Sequence, residues 1–169
     1  MIVRTKWLGM LSMAVVALLL TPLLAFAQHA GKPATSQIPG NVMQALRTKF
    51  PAAEVHKWTR ETENKAVVYD VEFTQQGQQL EADIKEDGAI VNWERGMAAQ
   101  ELPAAVAQAV EKKYPRATIS EVMMVTAVRD GKDALEGYEV TLKTAAGRNV
   151  EVTVAPDGKI LEDSGAEKP

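Results

Sequence analysis

The sequence predicts an α+β fold made of two tandem repeats, each one helix followed by an antiparallel sheet of about four strands. Two observations predict it. The same order of features occurs twice, beginning at Ile38-Pro39 and again at Leu102-Pro103. Within each copy, apolar residues at helical spacing come first, and segments that alternate apolar and polar residues follow. The shifts between the two copies fall in loops, and the equivalent positions include Val42 and Val106, Phe50 and Tyr114, Tyr69 and Tyr138, and Asp87 and Asp157.

The N-terminal segment predicts export. It has the layout of a secretory signal, with Arg4 and Lys6 before an apolar run and Ala25-Phe26-Ala27 as a cleavage site. An uncleaved membrane anchor is the alternative, because the apolar run is nearly long enough to span a bilayer. We expect a periplasmic or secreted protein that is divided into a signal peptide at 1–27, a flexible leader at 28–37, repeat 1 at 38–96, repeat 2 at 97–163 and a flexible tail at 164–169.

Each repeat is expected to open with a helix of roughly three turns. In the first, Val42, Ala45, Leu46 and Phe50 lie on one helical stripe, and the second repeats that stripe. Proline precedes each helix and also follows its last aromatic residue, as at Pro51. A helix this short is marginal alone in water, so its apolar stripe must pack on the sheet.

The strands follow from two-residue alternation. In repeat 1, a strand from Val55 to Arg60 precedes a hairpin that turns at Gly77. Asp87-Gly88 then predicts a tight turn, because glycine accepts the positive φ that such turns require, and a last strand runs from Ala89 to Glu94. Repeat 2 has the same rhythm, with a first strand at 119–128, a turn at Gly147, a second turn at Asp157-Gly158 and a last strand at 159–162.

These motifs resemble the PepSY-like domains related to the repeats of beta-lactamase inhibitor protein. The resemblance covers residues 38–162 and rests on the leading Ile-Pro or Leu-Pro, the helix ending in Lys-Phe-Pro or Lys-Tyr-Pro, the strands Val-Tyr-Asp-Val-Glu-Phe and Gly-Tyr-Glu-Val-Thr-Leu, and the final Asp-Gly turns. It implies an exported tandem of helix-plus-sheet units with a binding or inhibitory role and no catalytic activity. No inhibitory residue transfers, because inhibition in the relatives depends on loops and a sheet face that vary.

Composition argues against several function classes. The chain carries a net charge of -3, which disfavours nucleic acid as a partner. It has no cysteine, which excludes disulfides and a lipoprotein anchor. The candidates for catalysis are weak: His56 fits a surface strand, and Ser120 lacks a Gly-x-Ser-x-Gly setting. We therefore expect no enzyme, no cofactor and no resident metal.

The candidate binding residues are four carboxylates on two neighbouring strands. Alternation places Asp70, Glu72, Glu81 and Asp83 on the face opposite the helix, where like charges on paired strands repel. In repeat 2, two of the four equivalent positions are threonine. One interpretation is a solvated acidic surface, and the other is a site for a cationic partner surface or a divalent cation.

Two tryptophans are further candidates. If Val55 and Ile90 face the helix, alternation sends Trp58 and Trp93 to the acidic face, where exposed tryptophan commonly anchors an interface. If a bulge reverses the parity, both rings instead lie in the core.

These observations predict a non-enzymatic binding module that acts on a protein or peptide partner. Inhibition of an envelope or secreted hydrolase through an open sheet face and loops is its most concrete form. The alternative is a periplasmic small-ligand or divalent-metal sensor or carrier that uses the acidic face.

Overall fold

The computed structural model describes residues 35–63 and 65–165. The predicted signal peptide at 1–27 lies outside the described residues, as do most of the predicted leader and tail. None of the described helices is long and apolar enough to cross a membrane.

The predicted α+β fold with two tandem repeats is confirmed. A short 3₁₀ turn precedes each helix, at Thr35–Gln37 and at Ala99–Glu101. Repeat 1 then contains α1 (Gly40–Lys49), β1 (Glu54–Glu63), β2 (Ala66–Gln75), β3 (Gln78–Lys85) and β4 (Ile90–Gly96). Repeat 2 contains α2 (Ala104–Lys113), β5 (Thr118–Arg129), β6 (Lys132–Lys143), β7 (Asn149–Val154) and β8 (Ile160–Asp163).

The eight strands form one continuous antiparallel sheet in the order β1 to β8. The sequence left open how the two four-stranded units meet, and pairing of β4 with β5 provides the junction. Arg95 lies opposite Met124 in this pairing, and Asn92 lies opposite Ala127. The position of the boundary between repeats, at residues 96 and 97, remains a prediction.

Both helices end at the aromatic residue before a proline. The backbone N–H of Phe50 donates to the carbonyl of Leu46 at 2.7 Å, and that of Tyr114 donates to Val110 at 2.8 Å. Leu46 is fully buried, and the residue after each aromatic is a proline that cannot donate the next helical hydrogen bond. Helix length is therefore set locally and identically in the two repeats.

Both helices pack on the same face of the sheet. Leu46 of α1 packs in one cluster with Trp93 of β4, and Val110 of α2 packs in a second with Met124 of β5. Trp93 pairs with Thr126, two residues from Met124 on the same strand, so the two clusters share a face. Neither α1 nor α2 packs on the opposite face, and we call it the helix-free face because no helix within 35–63 and 65–165 covers it.

A three-residue contact ties repeat 1 to the hairpin between β5 and β6. Lys49 Nζ lies 2.8 Å from Asp133 Oδ1, and the indole N–H of Trp93 donates to Asp133 Oδ2 at 3.2 Å. The Lys49 ammonium also lies 5.7 Å from the centre of the Trp93 ring. Asp133 thus joins α1 and β4 to the second repeat.

The end of β8 is fastened to the end of α2. The Tyr114 hydroxyl and the N–H of Gly165 both donate to Asp163, and Lys113 Nζ lies 3.3 Å from its other oxygen. Burial raises the pKa of the Asp163 carboxyl, but the hydrogen bonds outweigh it and hold that pKa below its usual value. Burial, followed by the bond to Asp163, raises the pKa of Tyr114.

Candidate functional site

The four predicted carboxylates meet in two like-charged pairs on the helix-free face. Asp70 lies directly opposite Asp83 across β2 and β3, and Glu72 lies opposite Glu81. Asp83 is only 5% exposed and Glu81 9%, whereas Asp70 and Glu72 are half-buried. We call these four residues the acidic face. They form one patch, as the alternation predicted.

The acidic surface continues onto β4 through two residues that the sequence did not single out. Asn92 lies opposite Asp83, and Glu94 lies opposite Glu81. Asn92 is 7% exposed and Glu94 is fully buried. Complete burial costs a carboxylate its hydration, so carboxylates are rarely found fully buried.

One cation from β1 lies on the same face. Lys57 pairs with Glu72, with Nζ 2.5 Å from Oε1, and its side chain is 62% exposed. The hydrogen bond with Glu72 is the main cause that raises the pKa of Lys57, and the charges of Asp70 and Glu81 also raise it. Lys57 therefore forms an ion pair with one of the four carboxylates of the acidic face.

Trp58 and Trp93 do not lie on the helix-free face. The prediction that simple alternation places them beside the carboxylates is wrong, and the alternative of a bulge that reverses the parity is observed. Each lies beyond a β-bulge: His56 is the extra residue in β1, and Val91 is the extra residue in β4. The bulges reverse the parity, so Trp58 pairs with Val71 and Trp93 with Ala82 on the helix side. Both rings are half-buried against the core of repeat 1.

The same bulges explain why Asn92 and Glu94 lie on the helix-free face. Because Val91 is the extra residue, Asn92 and Glu94 lie on the helix-free face, and Trp93 lies on the helix side. A sequence signal for this existed. Val55 and Trp58 are three residues apart, as are Ile90 and Trp93, and two core residues on one strand at an odd separation require a bulge.

Beyond β4, the helix-free face becomes first apolar and then mixed. Met123, Val125 and Ala127 of β5 are buried on this face. Val125 lies opposite Glu94, and Ala127 lies opposite Asn92. Repeat 2 then contributes pairs of one carboxylate and one threonine: Glu139 with Thr153, and Thr141 with Glu151.

A cavity of about 450 Å³ opens on this face between β4 and β8. Its walls include Asn92, Val125, Glu139 and Glu162, which come from β4, β5, β6 and β8, and we call it the seam cleft. Cavities of this size suit a side chain or a small ligand.

A second groove of about 610 Å³ lies on the helix side, between α1 and the turns after β3 and β5. Its described lining includes Gln44, Lys49 and Gly88, and the charged residues in that lining are Lys49 and Asp87. Its Asp87 caps its own turn, since Oδ1 accepts the N–H of Ala89 at 3.0 Å. Asp87 therefore has a structural role in this groove.

Neither weak candidate for catalysis has a catalytic setting. His56 is exposed, and its Nε2 lies 2.8 Å from the Thr74 hydroxyl. The Ser120 hydroxyl donates to the carbonyl of Thr141 at 3.1 Å. Across 35–63 and 65–165, no group of three or more His, Cys, Asp or Glu side chains is arranged to hold a metal ion.

Comparison with known sequences decides the family. The profile of the PepSY-like family, described as candidate beta-lactamase-inhibitor-like proteins, matches residues 28–91 and again residues 67–162. The chain belongs to the PepSY-like family. Two matches within one PepSY-like chain agree with its two helix-plus-sheet repeats. No relative with a curated description matches it.

Solved structures share the fold of this PepSY-like chain at low sequence identity. A BLIP-like protein from Bacteroides fragilis is 19% identical, with a TM-score of 0.54 over 77% of this chain and 89% of that one. A DUF2874 family protein from Bacteroides uniformis is 20% identical, with a TM-score of 0.58 over 74% and 87%. A candidate periplasmic protein from Bacteroides eggerthii is 18% identical, with a TM-score of 0.58 over 75% and 87%.

Proposed function

We propose that this protein is an exported, non-enzymatic binding module that captures a protein with a basic surface through the acidic face. The observation that carries the proposal is the cross-strand pairing of Asp70 with Asp83 and of Glu72 with Glu81. Carboxylates opposite each other on neighbouring strands destabilise a sheet. A basic partner surface would offset that repulsion, and the attraction between opposite charges would favour binding.

The second repeat supplies the internal comparison. It has the same strands at the same pairing, but Thr153 lies opposite Glu139, and Thr141 lies opposite Glu151. Each carboxylate there has a neutral partner across the strands, so the fold does not require like-charged pairs. Their presence in repeat 1 therefore supports a role in binding.

The partner we propose is an envelope or secreted hydrolase, which the protein inhibits or modulates. Support comes from the family description and from the shared fold with the BLIP-like protein. Fold alone does not transmit function, so the target must be established by binding. The metal-carrier alternative gains no support from the geometry of the described residues.

The test uses a double variant, Glu72→Thr with Asp83→Thr, which gives repeat 1 the residues of repeat 2. The control, Glu86→Gln with Glu111→Gln, removes the same formal charge from exposed positions outside the acidic face. The natural chain and both variants are immobilised and exposed to envelope extract. A protein that the natural chain and the control retain, and the threonine variant loses, is then purified.

Binding of the purified partner is measured by isothermal titration at low and at high salt, together with its hydrolase activity. We expect the threonine variant to weaken binding at least about tenfold, and salt to weaken binding to the natural chain steeply. Equal affinity for the threonine variant and the control would refute the proposal. Undiminished hydrolase activity at saturation would refute inhibition while leaving the binding module intact.

A further inference from the structure

We infer that the protein forms a weak dimer through the outer edge of β1, which pairs antiparallel with β1 of a second copy about a two-fold axis at Thr59. This inference goes beyond the proposed function and does not depend on it. The two copies would then share one continuous sheet, with eight strands from each.

The first strand is a long edge of the sheet. It has ten residues, and its pairing within 35–63 and 65–165 is with β2. The opposite edge, β8, has four residues, and a short edge strand is a common protection against pairing with another chain. Helix α1 packs chiefly over β3, so it lies inward of β1. The β1 edge therefore offers backbone groups that a further strand can extend.

The charges of β1 favour a second copy as that further strand. Backbone hydrogen bonds give affinity for any strand, so specificity must come from side chains. Lys57 lies two residues before Thr59 and Glu61 two residues after it, and alternation places both on the helix-free face. A two-fold axis at Thr59 sets each Lys57 opposite the partner's Glu61. One contact between identical strands thus forms two attractive charge pairs.

The same axis matches the side chains on the helix side of the strand. Trp58 comes to lie opposite the partner's Arg60, and Arg60 opposite the partner's Trp58. Trp58 is half-buried, with its ring centre 6.1 Å from that of Tyr69, and Arg60 is exposed. A guanidinium beside a tryptophan ring makes a favourable cation–π contact. Both faces of the strand are therefore self-complementary about the same residue.

Thr59 supplies an independent observation. Its Oγ1 is shielded from water and has no hydrogen-bond partner among the described residues. A hydroxyl in that state has lost its hydrogen bonds to water without replacement, which is costly. On the two-fold axis each Thr59 faces its own counterpart, and threonines opposite each other on paired strands form hydrogen bonds. A second copy supplies the partner that this hydroxyl lacks.

The geometry of antiparallel strands permits this register. With Thr59 opposite itself, every residue lies opposite one of the same parity, so outward N–H and C=O groups meet outward groups. His56 is the extra residue of the bulge, and the segment from Lys57 to Glu61 pairs with β2 without a break. The contact is confined to this segment, and so small an interface gives weak association rather than an obligate dimer.

Sedimentation velocity of the purified protein, between micromolar and low millimolar concentration, measures the association. Glu61→Lys sets lysine opposite the partner's Lys57, and Lys57→Glu sets glutamate opposite the partner's Glu61, so each variant has two repulsive pairs. We expect each variant to weaken dimerisation at least about tenfold. Glu111→Lys is the control, because it reverses one charge at an exposed position of α2, and it should dimerise like the natural chain.

Mixing the two variants tests the register. In a heterodimer of Glu61→Lys with Lys57→Glu, each lysine again lies opposite a glutamate, so the mixture should dimerise where neither variant does alone. Circular dichroism establishes that both variants are folded. A natural chain that stays monomeric, a dimer that Glu61→Lys weakens no more than Glu111→Lys does, or a mixture of folded variants that stays monomeric would each overturn the inference.

A crosslink locates the axis without altering any charge. The chain has no cysteine, so Thr59→Cys introduces one thiol per copy. Opposed residues on antiparallel strands have Cα atoms about 4.5–5.5 Å apart, within reach of a disulfide, so mild oxidation should link two copies. In Thr62→Cys the two thiols would lie about 20 Å apart and should remain reduced. Equal crosslinking of the two variants, or none in Thr59→Cys, would contradict the proposed axis.

Discussion

Replacing Asp133 with alanine should loosen the join between the two repeats. The carboxylate accepts both the Lys49 ammonium and the Trp93 indole N–H, and these come from two elements of repeat 1. Its removal leaves the lysine without its ion-pair partner and the indole without its acceptor. The cost should therefore exceed that of an ordinary surface ion pair.

The magnitude follows from the two contacts. Lys49 and Asp133 are 27% and 40% exposed, and pairs open to solvent to this degree contribute about 0.2–1 kcal/mol. A hydrogen bond to a charged acceptor, here at 3.2 Å from the indole, adds about 1 kcal/mol after discounting for that exposure. We expect a loss of about 1–2 kcal/mol, or a fall of about 0.5–1 M in the urea midpoint.

Urea unfolding followed by circular dichroism measures the loss without depending on the altered indole. Glu136→Ala is the matched control, because it breaks the Arg129 ion pair of the same hairpin and touches no tryptophan. In the Trp93→Phe background, Asp133→Ala should lose about half of its effect. A cost for Asp133→Ala no greater than that for Glu136→Ala would refute the reasoning.

Three further predictions concern the fold. Because the pKa of Asp163 is lowered in the folded state, the ionised carboxylate stabilises the fold above its unfolded pKa near 4, and this stabilisation disappears as pH falls through the folded pKa. Tyr114→Phe removes a hydrogen bond to this carboxylate, so acid unfolding monitored between pH 5 and 2 should begin at higher pH in that variant. Gly137→Ala should cost about 1–3 kcal/mol by thermal unfolding, since a β-carbon there would lie 2.5 Å from a backbone oxygen, whereas Gly40→Ala, with no atom within 4 Å, should be nearly neutral. Leu46→Ala, at a fully buried position, should cost about 2–5 kcal/mol by urea unfolding, and a value below 1 would mean that α1 is not essential to the core.

The duplicated pattern was enough to predict the elements, because helix and strand periods are local properties of the chain. The stripe of Val42 and Leu46 and the alternation from Tyr69 to Phe73 correspond to α1 and β2, and both are buried on the helix side. The union of the two sheets was not predictable in this way. It depends on pairing between β4 and β5, and a strand edge carries no local mark of its partner.

The same distinction explains which part of the candidate site was found. Asp70 and Asp83 lie on regular stretches of paired strands, so strict alternation placed them correctly. Trp93 and Glu94 lie beyond a bulge, where one extra residue exchanges the two faces for the rest of the strand. Periodicity alone assigns such residues to the wrong face unless the odd spacing of core positions is noticed.

Duplication also accounts for where the seam cleft lies. Asn92 and Glu94 come from the last strand of repeat 1, whereas Glu139 and Glu162 come from repeat 2. Neither repeat alone has both the buried amide and the opposing carboxylates, so the cleft exists only because the sheets join in this order. The lining of the cleft depends on the register between β4 and β5. Sliding β5 by one residue against β4 would replace Val125 and Ala127 in the cleft wall by their helix-side neighbours. A ligand placed in the seam cleft would contact both repeats, so it should stabilise the whole chain rather than one half.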